Sequence, residues 1–259
     1  MKSIRSRSNA AVKALIKLAG SSRERRRTGS TLLEGERLVR AYAESGGRAE
    51  TIFASEGAVA DPATRSFVEK FPAGEHLVLA DGIFGAISQL VSAAGIAAVI
   101  RTPEAGPLPK PVSGCLLLEG IQDPGNLGSI LRTAVAAGTR QVFLSEGSVF
   151  AWAPKVVRAG MGAHFSLSIF ENVALEPLAR SFSGRIVATA PRAAGSLYDL
   201  DLKGDVAWLF GNEGAGLSSA ARGLATTQVR IPMPGPAESL NIAAAAAICL
   251  FEQVRQRGQ

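Results

Sequence analysis

The sequence is poor in residues that bind metals, form disulfides or act as general bases, since its 259 residues include two cysteines and two histidines. Cys115 and Cys249 lie in apolar segments without metal-ligand spacing, which predicts core thiols and excludes a disulfide framework. His76 and His164 lie in no motif suited to base or ligand duty, which disfavours a serine hydrolase or a metal hydrolase. We therefore expect no metal cofactor.

Long apolar runs are also missing. No uncharged apolar stretch of about 18 residues occurs, and the first residues, MKSIRSRSN, lack the apolar core of a secretory signal. The composition therefore predicts a cytoplasmic protein that does not cross a membrane. Aromatic residues make up 6% of the chain and are scarce near its basic N-terminus, so stacking on nucleic-acid bases is not indicated there.

The chain is long and apolar enough for two domains, with 47% hydrophobic residues. The segment TPEAGPLPKP at 102–111 has four prolines in ten residues and cannot form a helix or an inner strand. It predicts a proline-rich linker at 106–112 between a first domain at 1–105 and a second at 113–259.

Positive charge is concentrated at the N-terminus, because residues 1–40 contain eleven Lys or Arg against three Glu. RNA phosphates are the natural partner of such a segment, and a solvated basic arm without a specific partner is the alternative. The predicted phosphate contacts are Arg23, Arg25, Arg26 and Arg27.

Hydrophobic periodicity predicts alternating strands and helices in both domains. In the first domain it predicts a basic amphipathic helix at 8–18, strands at 31–33, 51–54, 76–79 and 97–100, and helices at 36–44, 62–71 and 82–90. In the second it predicts strands at 115–118, 141–144, 166–170, 185–190, 207–210 and 228–231, with helices at 128–137 and 240–255. This is an α/β architecture, and a mostly parallel sheet covered by helices is expected in the second domain.

Three polar loops follow predicted strands of the second domain, where open parallel sheets place ligands. The first carries Asn126 and Arg132, the second carries Glu213 among three glycines, and the third leads to Ser239 and Asn241 at a helix start. Each loop alone is explained by ordinary turn and cap chemistry. Their joint occurrence at successive strand ends favours a single site.

These loops resemble the three motifs of the SpoU (TrmH-type) RNA ribose 2′-O-methyltransferases of the SPOUT superfamily. The matching segments are NxGxxxRTA at 126–134, GNEGxGLS at 211–218 and IPMxGxxxSLN at 231–241. The segment PKVVRAGMGAHF at 154–165 is similar to the stretch between the first two motifs, although Gly160 stands where serine is commoner. The first domain resembles, less specifically, a ribosomal-protein-like substrate-binding domain.

The resemblance implies a homodimer that associates through its C-terminal domain, a deep trefoil knot and S-adenosylmethionine as cofactor. It implies cofactor contacts at Gly211, Gly216, Ile231, Met233 and Leu240. It implies a catalytic set of Arg132, assisted by Asn126, Glu213, Ser239 and Asn241. Lys155 and Arg158 join the arginine run as candidate RNA contacts. We expect Glu213 to pair with Arg132 or with a ribose hydroxyl.

The expected substrate is a ribose 2′-hydroxyl of 23S rRNA. A tRNA ribose methyltransferase and a non-catalytic RNA-binding or ribosome-assembly protein with a SPOUT body remain the alternatives. A Rossmann-type methyltransferase is disfavoured because DPGNLG at 123–128 does not match the glycine pattern expected after a first strand.

Overall fold

The computed structural model describes residues 1–88, 95–110, 112 and 114–258, which form two compact units. The first unit is Met1–Glu104 with Trp152–Arg158, and the second is Ala105–Ala151 with Ala159–Gln259. Each unit has its own β-sheet. No helix of the described residues is long and apolar enough to span a bilayer.

The first unit is built on a five-stranded mixed sheet in the order β1-β4-β3-β5-β2. Its elements are β1 (Lys2–Ile4), α1 (Ala10–Gly20), α2 (Ser22–Thr28), β2 (Ser30–Glu34), α3 (Glu36–Glu44), β3 (Ala49–Ser55), α4 (Pro62–Lys70), β4 (Ala73–Leu79), α5 (Asp81–Ile87) and β5 (Ile96–Arg101). β1, β4 and β3 are parallel, while β5 is antiparallel to both β3 and β2. Val12, Leu15 and Leu18 of α1 share a buried core with Phe53 and Leu77 of the sheet.

All the elements predicted for this unit are confirmed: α3 has the predicted ends, and the others have shifted ends. The basic helix predicted at 8–18 is α1, two residues later, because Asn9 caps it by accepting from the Ala11 amide. The arginine run is not an extended arm: it forms α2, which Ser21 caps. The helix predicted at 82–90 is α5, and residues 89–90 lie outside the described part of the chain.

Arg25, at the centre of that run, is a buried structural residue with a 7% exposed side chain. Its Nη1 donates to the carbonyls of Leu18 at 2.7 Å and Ala19 at 2.9 Å, which belong to the last turn of α1. Burial lowers the pKa of this guanidinium. The sequence-based assignment of Arg25 to RNA is corrected accordingly, because the side chain does not face solvent.

This burial predicts that Arg25→Ala destabilises the protein by about 2 kcal/mol, because two buried carbonyls lose a charged donor. Urea unfolding at equilibrium measures the change. Arg23→Ala is the matched control on the same helix, since Arg23 is exposed. We expect the control to leave stability within about 0.5 kcal/mol and to weaken RNA binding in a salt-dependent manner. Weakened RNA binding by Arg25→Ala at unchanged stability would contradict the structural role.

The second unit is built on a seven-stranded parallel sheet in the order β10-β12-β9-β11-β6-β7-β8. In chain order, the remaining elements are β6 (Cys115–Leu118), α6 (Pro124–Ala136), β7 (Gln141–Leu144), α7 (Pro154–Gly160), β8 (Ser168–Phe170), α8 (Leu175–Ser181), β9 (Arg185–Thr189), β10 (Gly195–Ser196), β11 (Val206–Phe210), α9 (Ser219–Leu224), β12 (Thr227–Arg230) and α10 (Ile242–Arg257). Most of α7 belongs to the first unit. The prediction of a mostly parallel sheet is confirmed.

The central strands are apolar on both faces because helices cover both sides of the sheet. On β11, Ala207 and Leu209 face a core that contains Leu178 of α8 and Ala221 of α9. The alternate residue Trp208 donates its Nε1 proton to Gln253 of α10 at 2.8 Å. The six predicted strands are therefore confirmed, and the two-residue β10 was not predicted.

The two helices that carry the polar motifs begin at side-chain caps. Asp123 accepts from the Asn126 amide at 2.7 Å and Pro124 follows it, so α6 starts four residues before the predicted position. Asn241 accepts from the amides of Ala243 and Ala244, so α10 starts two residues after the predicted position. Both caps bring their helix starts to the carboxyl edge of the sheet.

Candidate functional site

The segments that follow the adjacent strands β12, β9, β11 and β6 contribute residues to one pocket of about 510 Å³. This volume lies within the range of about 300–1,000 Å³ typical of small-molecule sites. Nine of the residues predicted from sequence line it, namely Asn126, Gly211, Glu213, Gly216, Ile231, Met233, Ser239, Leu240 and Asn241. The three polar loops therefore meet at a single concave surface.

A chain of side-chain amides joins the three motifs at this pocket. Asn241 donates its Nδ2 proton to Oδ1 of Asn126 at 2.9 Å. Asn126 in turn donates its Nδ2 proton to Oε1 of Glu213 at 3.1 Å. The direction of this chain is fixed, because Asn241 Oδ1 is occupied by the amides that begin α10 and only its Nδ2 can face Asn126.

Glu213 ends the amide chain as an ionised acceptor. Its two carboxylate oxygens also accept from the backbone amides of Gln122 at 3.2 Å and Asp123 at 3.1 Å. Partial burial alone raises the pKa of Glu213, but hydrogen bonds from its own backbone, Asn126, Gln122 and Asp123 outweigh it and hold the pKa below its usual value. The expected pairing of Glu213 with Arg132 is not formed.

We expect Glu213→Gln to lower stability at neutral pH by about 0.5–1 kcal/mol, because an amide nitrogen would face backbone donors at a partly exposed site. The folded pKa is lowered, so the stabilisation is present above the ordinary glutamate value of 4.5 and is lost as the pH falls through the folded value. Thermal unfolding of parent and variant across this range measures the difference. Glu146→Gln, at an exposed glutamate after β7, is the control, and an identical pH trend for both variants would refute the role of Glu213.

Residues 211–218, which we call the glycine loop, form the wall of the pocket that follows β11. Gly211 has no room for a side chain, since a Cβ would lie 2.4 Å from the Leu217 nitrogen and 2.5 Å from the Gly216 carbonyl carbon. Gly216 has φ +68°, in the left-handed region that favours glycine. Backbone hydrogen bonds between Asn212 and Gly216, at 2.9 and 3.1 Å, close the loop on itself.

The third motif contributes apolar groups to the lining of the pocket. Leu240 is 38% exposed where it lines the pocket, and Ile231 and Met233 lie beside it. Ser239 lines the pocket but does not cap α10, since that cap is Asn241. The third motif thus adds exposed apolar surface and the hydroxyl of Ser239 to the pocket.

Arg132 does not line this pocket. It lies two turns beyond Asn126 on α6, and its side chain is exposed. Within the described part of the chain, its guanidinium makes no hydrogen bond or ion pair. A charged and unconstrained guanidinium is therefore presented to solvent on the helix that begins at the pocket.

The remaining residues predicted to contact RNA lie in the first unit. Arg23, Arg26 and Arg27 are exposed on α2. Arg27 forms an ion pair with Glu24. Hydrogen bonds from Arg27 and Lys17 lower the pKa of Glu24 to about 2. Lys155 is exposed at the start of α7. Arg158 instead pairs with the buried carboxylate of Glu34 at 2.9 Å, so part of its charge is already neutralised.

Several pocket residues were not predicted. Thr189, Ala190 and Pro191 line the pocket after β9, where only the rule that ligands bind at strand ends could have indicated them. Asn212 lies inside the second motif and accepts from the amides of Gly214 and Ala215. An asparagine directly after a glycine is a recognisable turn signal.

Comparison with known proteins gives the chain its relatives. Residues 114–251 match the SpoU rRNA methylase family, and residues 9–98 match the MRM3-like substrate binding domain. An uncharacterized tRNA/rRNA methyltransferase of Synechocystis sp. is 33% identical, over 98% of this chain and 94% of that protein. The 23S rRNA (guanosine(2553)-2′-O)-methyltransferase RlmP of Bacillus subtilis is 31% identical, over 97% and 98%.

A solved structure adds the fold to these sequence relationships. The SpoU methyltransferase AviRb from Streptomyces viridochromogenes, in complex with the cofactor AdoMet, has a TM-score of 0.86 and 28% identity, covering 97% of this chain and 99% of that chain. The family match spans more than half of the chain and includes every motif that lines the pocket. The chain belongs to the SpoU rRNA methylase family.

Proposed function

We propose that this protein is an S-adenosylmethionine-dependent methyltransferase that modifies a ribose 2′-hydroxyl of 23S rRNA. The observation that carries the proposal is the convergence of the three motif loops on one pocket at the carboxyl edge of a parallel sheet, in a member of the SpoU family. RlmP, named as a 23S rRNA 2′-O-methyltransferase, supports the choice of substrate.

The pocket has the chemistry to hold S-adenosylmethionine. The glycine loop brings main chain to its surface at Gly211 and Gly216, and Ile231, Met233 and Leu240 supply apolar contacts for a flat heterocycle. When bound, the cofactor supplies a methyl group on a sulfonium centre. AviRb, crystallised with AdoMet, supports this assignment.

The chain's own residues must align the ribose hydroxyl and stabilise the charge that develops on its oxygen. A guanidinium keeps its proton at neutral pH, so Arg132 acts by clamping an RNA phosphate and stabilising the developing alkoxide rather than as a base. A hydrogen-bonded cluster of three side chains, Asn126, Glu213 and Asn241, keeps the starts of α6 and α10 in place. Ser239 provides a hydroxyl that can orient the ribose.

The first unit is proposed to bind the rRNA substrate. Its match to the MRM3-like substrate binding domain and the exposed Arg23, Arg26 and Arg27 on α2 support this role. Lys155 is a further candidate for a backbone contact, and Arg158 contributes less because Glu34 neutralises it.

The finer points of architecture remain part of the proposal: a ribosomal-protein-like first unit, a trefoil knot in the second and a homodimer formed through the second. Membership of the SpoU rRNA methylase family supports these points. Sedimentation equilibrium measures the oligomeric state.

The proposal is tested by equilibrium titration with S-adenosylmethionine and by tritium-methyl transfer from it to purified rRNA and to tRNA. We expect saturable cofactor binding and label in the 23S species. Label in tRNA alone would show that the substrate is tRNA and not 23S rRNA. Cofactor binding without transfer to either RNA would favour a non-catalytic RNA-binding protein.

A further inference from the structure

Glu119, the first residue after β6, accepts hydrogen bonds from the C-terminal end of the glycine loop with both carboxylate oxygens. Ser218 donates its backbone N–H to Oε2 at 2.8 Å and its hydroxyl proton to Oε1 at 2.7 Å. The same hydroxyl oxygen accepts from the Ala221 amide at 3.0 Å and so caps α9. One carboxylate is therefore bonded to the residue at which the loop ends and the next helix begins.

The near end of the loop is tied to the next residue of the same segment. Asn212 donates its Nδ2 proton to the Gly120 carbonyl at 2.8 Å. The amide of Glu119 donates to the Phe210 carbonyl at 2.9 Å, continuing the pairing of β6 with β11. Both ends of the glycine loop are thus held by two consecutive residues, Glu119 and Gly120.

The loop needs such attachment because three of its residues are glycines. Glycine loses more conformational freedom on ordering than any other residue, so a loop with Gly211, Gly214 and Gly216 is costly to fix. Glu213, which receives the amide chain from Asn126, lies inside this loop. Displacement of the loop would move the pocket wall and the carboxylate together.

We propose that Glu119 is a positioning residue, which sets the affinity of the cofactor pocket by holding the glycine loop in its binding conformation. It lies outside the lining of that pocket, so it acts through Ser218 rather than by contact with the ligand. The inference rests on the proposed function for its ligand, but the order of the loop can be measured without any ligand.

The first test compares S-adenosylmethionine dissociation constants of Glu119→Gln, Glu119→Ala and Ser218→Ala with the parent. If the binding-competent loop falls to about a tenth of the population in Glu119→Ala, the apparent constant rises about tenfold. Glu119→Gln, which keeps one acceptor, is expected to lose about threefold. The double variant Glu119→Ala with Ser218→Ala should lose less than the product of the two single losses, because the bond between the Ser218 hydroxyl and Glu119 is already absent in Glu119→Ala and only the cap of α9 is lost in addition.

Turnover separates positioning from a catalytic role. At saturating cofactor, kcat of Glu119→Ala should stay within about twofold of the parent while KM for the cofactor rises with the dissociation constant. A fall in kcat at unchanged KM, or multiplicative losses in the double variant, would overturn the proposal.

The second test is amide hydrogen exchange of residues 211–218 in the ligand-free protein. We expect faster exchange there in Glu119→Ala, an intermediate rate in Glu119→Gln, and parent-like exchange in Glu146→Ala, a matched exposed glutamate after the neighbouring strand β7. An unchanged rate of amide exchange in the glycine loop of Glu119→Ala would overturn the positioning role of Glu119, even if the protein binds the cofactor. If the loop of Glu119→Ala exchanges faster but the parent protein binds no cofactor, Glu119 still holds the glycine loop and the proposed function is rejected.

Discussion

Replacement of Arg132 by alanine will reduce methyl transfer by about 10²–10³-fold, the loss typical of removing one donor that stabilises developing negative charge. Affinity for S-adenosylmethionine should stay unchanged, because Arg132 is exposed on α6 and does not line the cofactor pocket. Single-turnover transfer from tritiated cofactor to rRNA measures the first quantity, and calorimetric titration measures the second.

The Arg132→Lys variant distinguishes the two ways in which a cation could act. Lysine keeps the charge but loses the two parallel donors of the guanidinium, so clamping of a phosphate predicts that lysine recovers little of the lost rate. Activity of Arg132→Lys within about threefold of the parent would refute bidentate clamping. A large loss of cofactor affinity in either variant would contradict the position of Arg132 outside the pocket.

The second large effect is expected for Gly211→Ala. An added Cβ would lie 2.4 Å from the Leu217 nitrogen, so the main chain of the glycine loop must move. A strain of about 1–3 kcal/mol in the binding conformation corresponds to an affinity for S-adenosylmethionine that is about 5- to 150-fold weaker. Calorimetric titration measures the affinity, and circular dichroism establishes that the variant is folded.

Gly214→Ala is the matched control in the same loop. Its Cβ would meet only the Asn212 side chain, at 3.6 Å, which is an ordinary contact. We expect its affinity for the cofactor to stay within about threefold of the parent. Equal losses for the two alanine variants would show that the loop is sensitive to any loss of glycine flexibility and not to the close approach at Gly211.

The sequence sufficed to predict the sheet of the second unit and the meeting of its loops. Apolar strands such as CLLL at 115–118 and VAWLF at 206–210 indicate burial on both faces, and buried parallel strands put their carboxyl ends on one edge. From that edge, the convergence of Asn126, Glu213 and Asn241 follows. The spacing of polar residues along the chain was therefore informative about their proximity in space.

The partners of those residues could not be predicted in the same way. Glu213 was expected to pair with Arg132 or with a ribose hydroxyl, and within the protein it accepts from Asn126 and two backbone amides and not from Arg132. Backbone donors leave no trace in the amino-acid pattern. Glu119 was missed for a related reason, because a single acidic residue after a strand carries no signal until Ser218 is placed beside it.

Arg25 shows that a charged residue in the sequence is not always exposed in the structure. Within a run of arginines, helical periodicity is hidden because adjacent residues have the same type. The helix α2 turns one member inward, where two carbonyls at the end of α1 accept its protons. Only the packing of α2 against α1 distinguishes the structural arginine from its exposed neighbours Arg23 and Arg26.

The most direct test of the central claim is to identify the modified atom in rRNA treated with S-adenosylmethionine and the purified protein. Nuclease digestion followed by mass spectrometry distinguishes a methylated ribose from a methylated base. We predict one new 2′-O-methylated nucleoside in 23S rRNA with the parent protein, formed about 10²–10³-fold more slowly with Arg132→Ala. A methyl group on a base, or equal ribose methylation by both proteins, would contradict the assignment of this site.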